Sequence, residues 1–198
     1  IGEVSKNALV TTSDAQVGDT VLVTKALGVE GTAIIASELA DTLREKEFQE
    51  DFITRAQNFL YEPGISIYTD ALTAADTGLV HSMTDATEGG LTTALHEMAQ
   101  AAEVGLFIEA EKVPILPETE HLCDEFGLNP FGLISSGMMI MTAASDNVEK
   151  LIEIMYEAGV KCTAIGMVTD PAAGLRILMK DEIVDLPYFA ADELTKIY

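Results

Sequence analysis

The segment from Met83 to Leu95 constrains the fold more than any other part of this sequence. Its pattern indicates a short strand that passes through two adjacent glycines, Gly89 and Gly90, into an amphipathic helix. The first N–H groups of a helix have no partner within the helix, and the helix dipole is positive at that end. The segment therefore predicts a backbone site for a phosphate or a carboxylate, with a purely structural turn as the commoner explanation on local sequence alone.

Composition and charge limit the ligands and partners of such a site. The chain has 198 residues, of which 48% are hydrophobic, and this is enough for one core, so we expect a single domain over residues 1–198. The net charge is -22, from 11 Lys and Arg against 33 Asp and Glu. That charge repels nucleic acids and anionic membrane surfaces, and we expect neither as a partner. An anionic ligand would need helix dipoles, one of the few lysines such as Lys25, or a bound cation.

The cysteines and histidines predict no metal site. Cys123 and Cys162 are far apart and lie in no CxxC or paired Cys/His spacing, which favours two buried, reduced thiols in a cytoplasmic protein. His96-Glu97 begins like a zinc-peptidase motif, but Gln100 stands where the second histidine is needed. No apolar run approaches the ~18 residues that span a bilayer. The chain opens without Met in an apparent strand, which favours a piece of a longer polypeptide.

The hydrophobic pattern predicts an α+β fold, with a mixed β-sheet layered with helices. After Gly137 the order is strand, helix, strand, strand, which partly resembles a ferredoxin-like arrangement and disfavours a doubly wound sheet. An irregular or helical acidic tail follows. The predicted strands lie at 8–12, 20–24, 79–84, 106–108, 138–141, 161–168 and 174–180. The predicted helices lie at 33–44, 47–60, 65–76, 91–102, 117–126 and 146–158, the last with Ser145 as its N-cap.

Three glycine-bearing loops, near residues 28–32, 85–91 and 135–137, are expected to meet on one side of the sheet. Convergent loops of small residues on a rigid sheet hold a ligand through their backbone. Asp85 and Thr87 offer oxygens that could cap the helix, bind magnesium or position a ligand hydroxyl.

The order of these motifs resembles the C-terminal domain of the aminoimidazole ribonucleotide (AIR) synthetase (PurM) superfamily. The likeness covers nearly the whole chain and is closest to AIR-synthase-related and HypE-like hydrogenase maturation proteins. The matching motifs are Gly18-Asp19 before Val21–Lys25, Gly28–Thr32, Asp85–Leu91, Gly127–Pro130 and Ser135–Gly137. The resemblance implies an AIR synthetase C-terminal-domain-like fold in a two-domain, usually dimeric, ATP-dependent enzyme of the synthetase or dehydratase type.

In that family, an N-terminal domain of the same polypeptide, absent from this chain, supplies most of the ATP and Mg²⁺ site. The shared chemistry is attack of an amide-type oxygen of a small-molecule substrate on a nucleotide phosphate. We therefore expect this chain alone to bind no ATP or Mg²⁺ and to be inactive, and we assign no catalytic residue. The resemblance implies phosphate or substrate binding by Lys25, Glu30, Gly31, Thr32, Asp85, Thr87, Gly89, Gly90, Ser135, Ser136 and Gly137.

Two departures leave alternatives open. HypE-like proteins end in a cysteine that receives a carbamoyl group, whereas this sequence ends Leu194–Tyr198, and Ser136 stands where they tend to have glutamate. A noncatalytic partner-binding module of the same fold is one alternative. A purine-biosynthesis synthetase is the other.

Overall fold

The computed structural model describes residues 3–198, apart from the side chain of Asn7, and shows a mixed sheet packed with helices. The strands are β1 Asp19–Thr24, β2 Val80–Ala86, β3 Gly105–Glu109, β4 Met138–Ala144, β5 Cys162–Thr169, β6 Leu175–Met179 and β7 Glu182–Asp185. The helices are α1 Val29–Glu38, α2 Ala40–Glu45, α3 Glu50–Gln57, α4 Tyr68–Thr77, α5 Gly90–Ala102, α6 Pro117–Phe126 and α7 Val148–Glu157. Among the described residues, no helix is both long enough and apolar enough to cross a membrane.

The seven strands form one sheet in the order β2-β4-β1-β5-β3-β6-β7. Neighbouring strands are antiparallel except β3 and β6, which are parallel. The central strands β1 and β4 are apolar on both faces because helices cover both sides. Val21 and Ile140 pack with Leu95 of α5 on one face, while Leu22 and Met141 pack on the other, which α4 and α7 cover.

A separate apolar cluster joins α1, α2, α3 and α6 beside the C-terminal end of β1. Its centre is fully buried, and Phe48 and Phe52 lie half-buried at its edge. The buried residues of this cluster include Ile35, Leu43, Ile53, Leu122 and Leu133. This packing fixes the N-terminus of α1 against the loop that precedes β4.

The α+β prediction is confirmed, and helix 117–126 has the predicted bounds, but other elements differ. The predicted helix 47–60 is the shorter α3, followed by a 3-10 turn at Asn58–Leu60, and the predicted helix 65–76 begins only at Tyr68. Residues 8–12 form no strand, since Lys6–Ala8 and Thr12–Asp14 are short 3-10 turns. The predicted helix 33–44 begins at Val29 and breaks at Leu39. The acidic tail contains a strand, β7, after a turn at Lys180 and Asp181, both with positive φ. That turn was missed because it lacks the Gly or Asn that such conformations favour.

The two predicted strands after Gly159 are present, but they are not neighbours. The strand β3 lies between β5 and β6 and pairs with both. Local sequence could not reveal this because the intervening strand comes from more than 50 residues earlier. Cys123 and Cys162 are buried and unpaired, as predicted.

Candidate functional site

The three glycine-bearing loops meet at one edge of the sheet. Since β1 and β2 are both antiparallel to β4, their C-terminal ends lie beside the start of β4. Gly28 N–H donates to Ser135 Oγ at 3.0 Å, and Ser135 N–H donates to the Thr87 carbonyl at 3.3 Å. Gly31 N–H donates to the Ile134 carbonyl at 3.1 Å. The structure thus brings together the loops that the sequence predicted would converge.

The paired glycines form a tight entry into α5. Gly89 precedes the helix in the left-handed region with φ 76°, and Gly90 begins it with φ 64°. A Cβ atom on Gly90 would lie 2.6 Å from the Leu133 carbonyl oxygen and 2.7 Å from the Phe131 carbonyl oxygen. The space beside Gly90 is therefore filled by backbone of the chain itself, which accounts for glycine at this position.

An internal carboxylate binds the N-terminus of α5. Gly89 N–H donates to Asp192 Oδ2 at 2.7 Å, and Asp192 Oδ1 accepts from Leu194 N–H at 2.9 Å. The sequence did not indicate a role for Asp192 at this turn. Its only local signal is that Asp is a good cap for the short helix Glu193–Lys196 that follows, which says nothing about a contact with Gly89.

The ammonium of Lys25 is used within the chain. It donates to both carboxylate oxygens of Asp70, at 2.9 and 3.0 Å, and to the carbonyl oxygens of Ser66 at 2.7 Å and Gly137 at 3.0 Å. Asp70 is buried on α4. An ammonium has three N–H donors, and these contacts engage all of them. Lys25 therefore joins α4 to the start of β4, and its role in phosphate binding stays a prediction.

The predicted residues of α1 have different surroundings. Thr32 Oγ1 donates to Thr119 Oγ1 at 2.7 Å in a buried contact with α6. A Cβ on Gly31 would lie 2.4 Å from Cγ of Leu133. Glu30 is half-buried, and its Oε2 atom is buried without a hydrogen-bond partner among the described residues. Buried oxygens in folded proteins are normally hydrogen-bonded, so the Glu30 atom is an exception among these three residues.

On the remaining loops, Asp85 is exposed near the end of β2, and Thr87 and Ser136 are half-buried. A cavity of about 340 Å³ lies beside the glycine turn. Its lining combines two carboxylates with apolar groups: Glu88, Ile134, Asp192, Leu194, Thr195 and Tyr198. Burial, with a smaller effect of Glu38, raises the pKa of Tyr198 above its ordinary value.

The negative charge of the cavity lining limits which ligands can bind at this edge of the sheet. Because the cavity lining includes the carboxylates of Glu88 and Asp192, a bare phosphate would meet repulsion there, and a divalent cation would reduce it. Within residues 3–198, the structure holds no group of three or more His, Cys, Asp or Glu side chains suited to a metal ion.

Comparison with known proteins identifies relatives over most of the chain. A family model described as "AIR synthase related protein, C-terminal domain" matches residues 16–177. A "Putative hydrogenase expression/formation protein" of Methanocaldococcus jannaschii is 30% identical over 193 residues, 94% of this chain and 53% of the relative. Carbamoyl dehydratase HypE of Cupriavidus necator is 24% identical over 177 residues, 86% of this chain and 46% of the relative. The chain spans about half the length of these curated relatives.

Solved structures show the same fold. E. coli HypE matches with a TM-score of 0.72 at 22% identity, over 96% of this chain and 55% of that chain. A HypE in complex with ATP matches with a TM-score of 0.70 at 17% identity, over 98% and 57%. A chain of a HypE–HypF complex matches with a TM-score of 0.66 at 23% identity, over 90% and 56%. The predicted AIR synthetase C-terminal-domain-like fold is therefore present.

Proposed function

Because the chain belongs to the family of AIR synthase related C-terminal domains, we propose that it is the C-terminal domain of a HypE-like, ATP-dependent enzyme. An N-terminal domain of the same polypeptide supplies most of the ATP and Mg²⁺ site. The length of the chain, about half that of its relatives, supports this division, and a HypE has been solved with ATP. We further propose a cytoplasmic homodimer, and a protein partner comparable to the HypF that has been solved with HypE.

The observation that carries the proposal is that the N-terminus of α5 binds an anion at Gly89 N–H, in this structure the chain's own Asp192 carboxylate. Phosphoryl transfer depends on positioning and charge neutralisation, which helix N-termini and glycine turns provide. In this proposal Gly89, Thr87, Ser136 and Glu30 line the phosphate or substrate side of the cleft. Mg²⁺ offsets the acidic lining. The substrate is a small molecule with an amide-type oxygen.

Isothermal titration with ATP and Mg²⁺ tests the proposal on two proteins, the polypeptide extended upstream of Ile1 and the 198-residue chain. We expect binding and ATP turnover by the extended protein and neither by the chain alone. In the extended protein, Gly89→Ala should weaken ATP binding or turnover, because its Cβ would lie 2.3 Å from Thr93 Oγ1. Gly78→Ala is the matched control, with φ 65° and no atom within 4 Å of the new Cβ. An extended protein that binds no ATP contradicts the proposal.

The contact of Asp192 with Gly89 also favours a second candidate, a noncatalytic partner-binding module that keeps the fold. In such a module the helix N-terminus is closed by the chain itself and needs no ligand. This candidate predicts that Gly89→Ala leaves the function of the extended protein intact, while changes of exposed residues impair it.

A further inference from the structure

We propose that the cavity between the α2–α3 turn and α6 is a binding site for a quaternary ammonium group. The cavity measures about 290 Å³, and three aromatic rings and four charged or polar side chains line it. This volume is at the lower end for small-molecule sites and suits a small ligand or the end of a side chain. The cavity shares no lining residue with the cavity beside the glycine turn, so the site is independent of the proposed function.

The aromatic rings come from three parts of the fold and form one side of the cavity. Phe48 follows α2 and Phe52 is on α3, and their ring centroids are 5.1 Å apart. The His121 ring, on α6, lies 5.0 Å from the Phe48 ring and 5.4 Å from the Phe52 ring. A cation is attracted to an aromatic face within about 6 Å of the ring centroid. With centroids this close together, one cation can lie over both phenyl rings and contact the imidazole.

The charge of the lining favours a positive ligand. Lys46 Nζ pairs with the Glu125 carboxylate, so these two charges offset each other. Within residues 3–198, the Glu47 carboxylate accepts no hydrogen bond and forms no ion pair. The lining therefore keeps one unpaired negative charge, in a chain whose net charge is -22. Both attract a cation.

Glu47 occupies a position at which the backbone favours glycine. It follows α2 with φ 65°. Glu47 N–H donates to the Arg44 carbonyl and Phe48 N–H to the Leu43 carbonyl, both at 3.0 Å, which is the helix ending that usually has glycine at this place. A glutamate there carries backbone strain that glycine would avoid. Binding of a cation by its carboxylate gives a reason for glutamate at a position that destabilises the fold.

The lining suits a quaternary ammonium better than a primary one. A primary ammonium has three N–H donors that need acceptors, and the phenyl rings offer none. The chain's own Lys46 illustrates this requirement, because its Nζ lies 5.9 Å from the centroid of the Phe126 ring but also takes the Glu125 carboxylate. A quaternary ammonium has no N–H donor and is recognised through aromatic faces and a nearby negative charge.

Titration of the 198-residue chain with choline, followed by the NMR signals of the Phe48, Phe52 and His121 rings, tests the proposal. The neutral control ligand is the analogue of choline with a tert-butyl group in place of the trimethylammonium group. We expect choline to give saturable shifts of these signals, and the neutral analogue to bind at least about fivefold more weakly. Acetyl-trimethyllysine amide identifies the source of the ligand. Tighter binding than choline indicates a methylated protein side chain, and weaker binding indicates a free amine.

Variants of the lining locate the site. Glu47→Gln and Phe52→Leu should each weaken choline binding by about threefold or more. Glu45→Gln is the matched control, because Glu45 is an exposed carboxylate at the end of α2 that does not line the cavity, and it should match the native chain. Glu47→Gly separates binding from stability, since it should raise the midpoint of thermal unfolding and still weaken choline binding.

Three results would each overturn the proposal. Choline may give no saturable shift at these rings, the neutral analogue may bind as tightly as choline, or folded Glu47→Gln and Phe52→Leu variants may bind choline as the native chain does. If Phe52→Leu does not fold, the exposed position Glu47 carries the comparison. None of these results depends on ATP binding by the extended protein, so the proposed function has a separate test.

Discussion

Replacement of Gly90 by alanine tests whether this glycine serves the fold through close backbone contact. Gly90 has φ 64°, and its missing Cβ would lie 2.6 Å from the Leu133 carbonyl oxygen, 2.7 Å from the Phe131 carbonyl oxygen and 3.0 Å from the Leu133 nitrogen. These are backbone atoms, which cannot rotate away as the end of a side chain can. Either α5 or the loop at 131–133 must move to admit a methyl group.

The expected cost has two parts. An L-residue in the left-handed region is less stable by about 1–2 kcal/mol. Forcing a methyl group into a filled space costs a further ~1–3 kcal/mol. Gly90→Ala should therefore lower the free energy of unfolding by about 2–5 kcal/mol, a large share of the ~5–15 kcal/mol typical of a domain. Gly78→Ala has nearly the same φ, 65°, but no atom within 4 Å, and should lose only the first part.

Urea denaturation of the native chain and of both variants measures the difference. If the m-values agree, the shift in midpoint gives the change in the free energy of unfolding directly. We expect Gly90→Ala to be less stable than Gly78→Ala by at least about 1 kcal/mol. Equal stability of the two variants would refute the reasoning, because the space beside Gly90 would then be open.

Three further predictions concern the ion pair, the thiols and the end of α5. Lys25→Met should destabilise the chain by about 3–5 kcal/mol in urea denaturation, because it leaves the buried carboxylate of Asp70 without its ammonium; near-native stability of the variant would contradict a structural role. Burial raises the pKa of Cys123 and Cys162 to about 12 from 9.0. The folded chain therefore holds these protons more tightly than the unfolded chain, and stability should fall as pH rises from 9 to 12, by up to about 1.4 kcal/mol per pH unit for each thiol. Denaturation at pH 8 and pH 10 checks this, with Cys162→Ala expected to have the shallower dependence. Glu103, the residue after α5, has φ 56°, a conformation in which glycine is less strained. Glu103→Gly should therefore raise the midpoint of thermal unfolding, by an amount equivalent to about 0.5–1 kcal/mol of stability. A lower midpoint would show that the Glu103 side chain stabilises the fold by more than its left-handed backbone conformation destabilises it.

The sequence predicted the elements that repeat a local pattern and missed those that depend on distant partners. The helix 117–126 and the strand β4 follow from proline, glycine and apolar spacing. The sequence did not predict the strand β7, because the turn before it uses Lys180 and Asp181. It did not predict the order β5-β3-β6, because tertiary packing determines which strands are neighbours. Local propensity carries no information of that kind.

In the candidate site too, the sequence predicted the local features and did not predict the contacts between distant residues. Convergence of the three loops was predictable, because each is a glycine-bearing turn at the end of a strand or the start of a helix. Lys25 was selected as a rare cation in an acidic chain, yet it is bound by Asp70, 45 residues away. Asp192 was not selected, because 103 residues separate it from Gly89. Which acidic side chain reaches which donor is a property of the folded chain alone.

The negative charge of the chain does more than repel phosphate, because it also supplies carboxylates that can bind the chain's own helix N-terminus. A net charge of -22 weakens the binding of free phosphate, but it also places many carboxylates on the same molecule as the open helix end. A tethered group acts at an effective concentration in the millimolar range, without the cost of bimolecular association. An internal carboxylate such as Asp192 is therefore the expected occupant of a glycine turn in a strongly acidic protein. Under the proposed function, a phosphate would replace it only with help from charge, which Mg²⁺ and a second domain would bring.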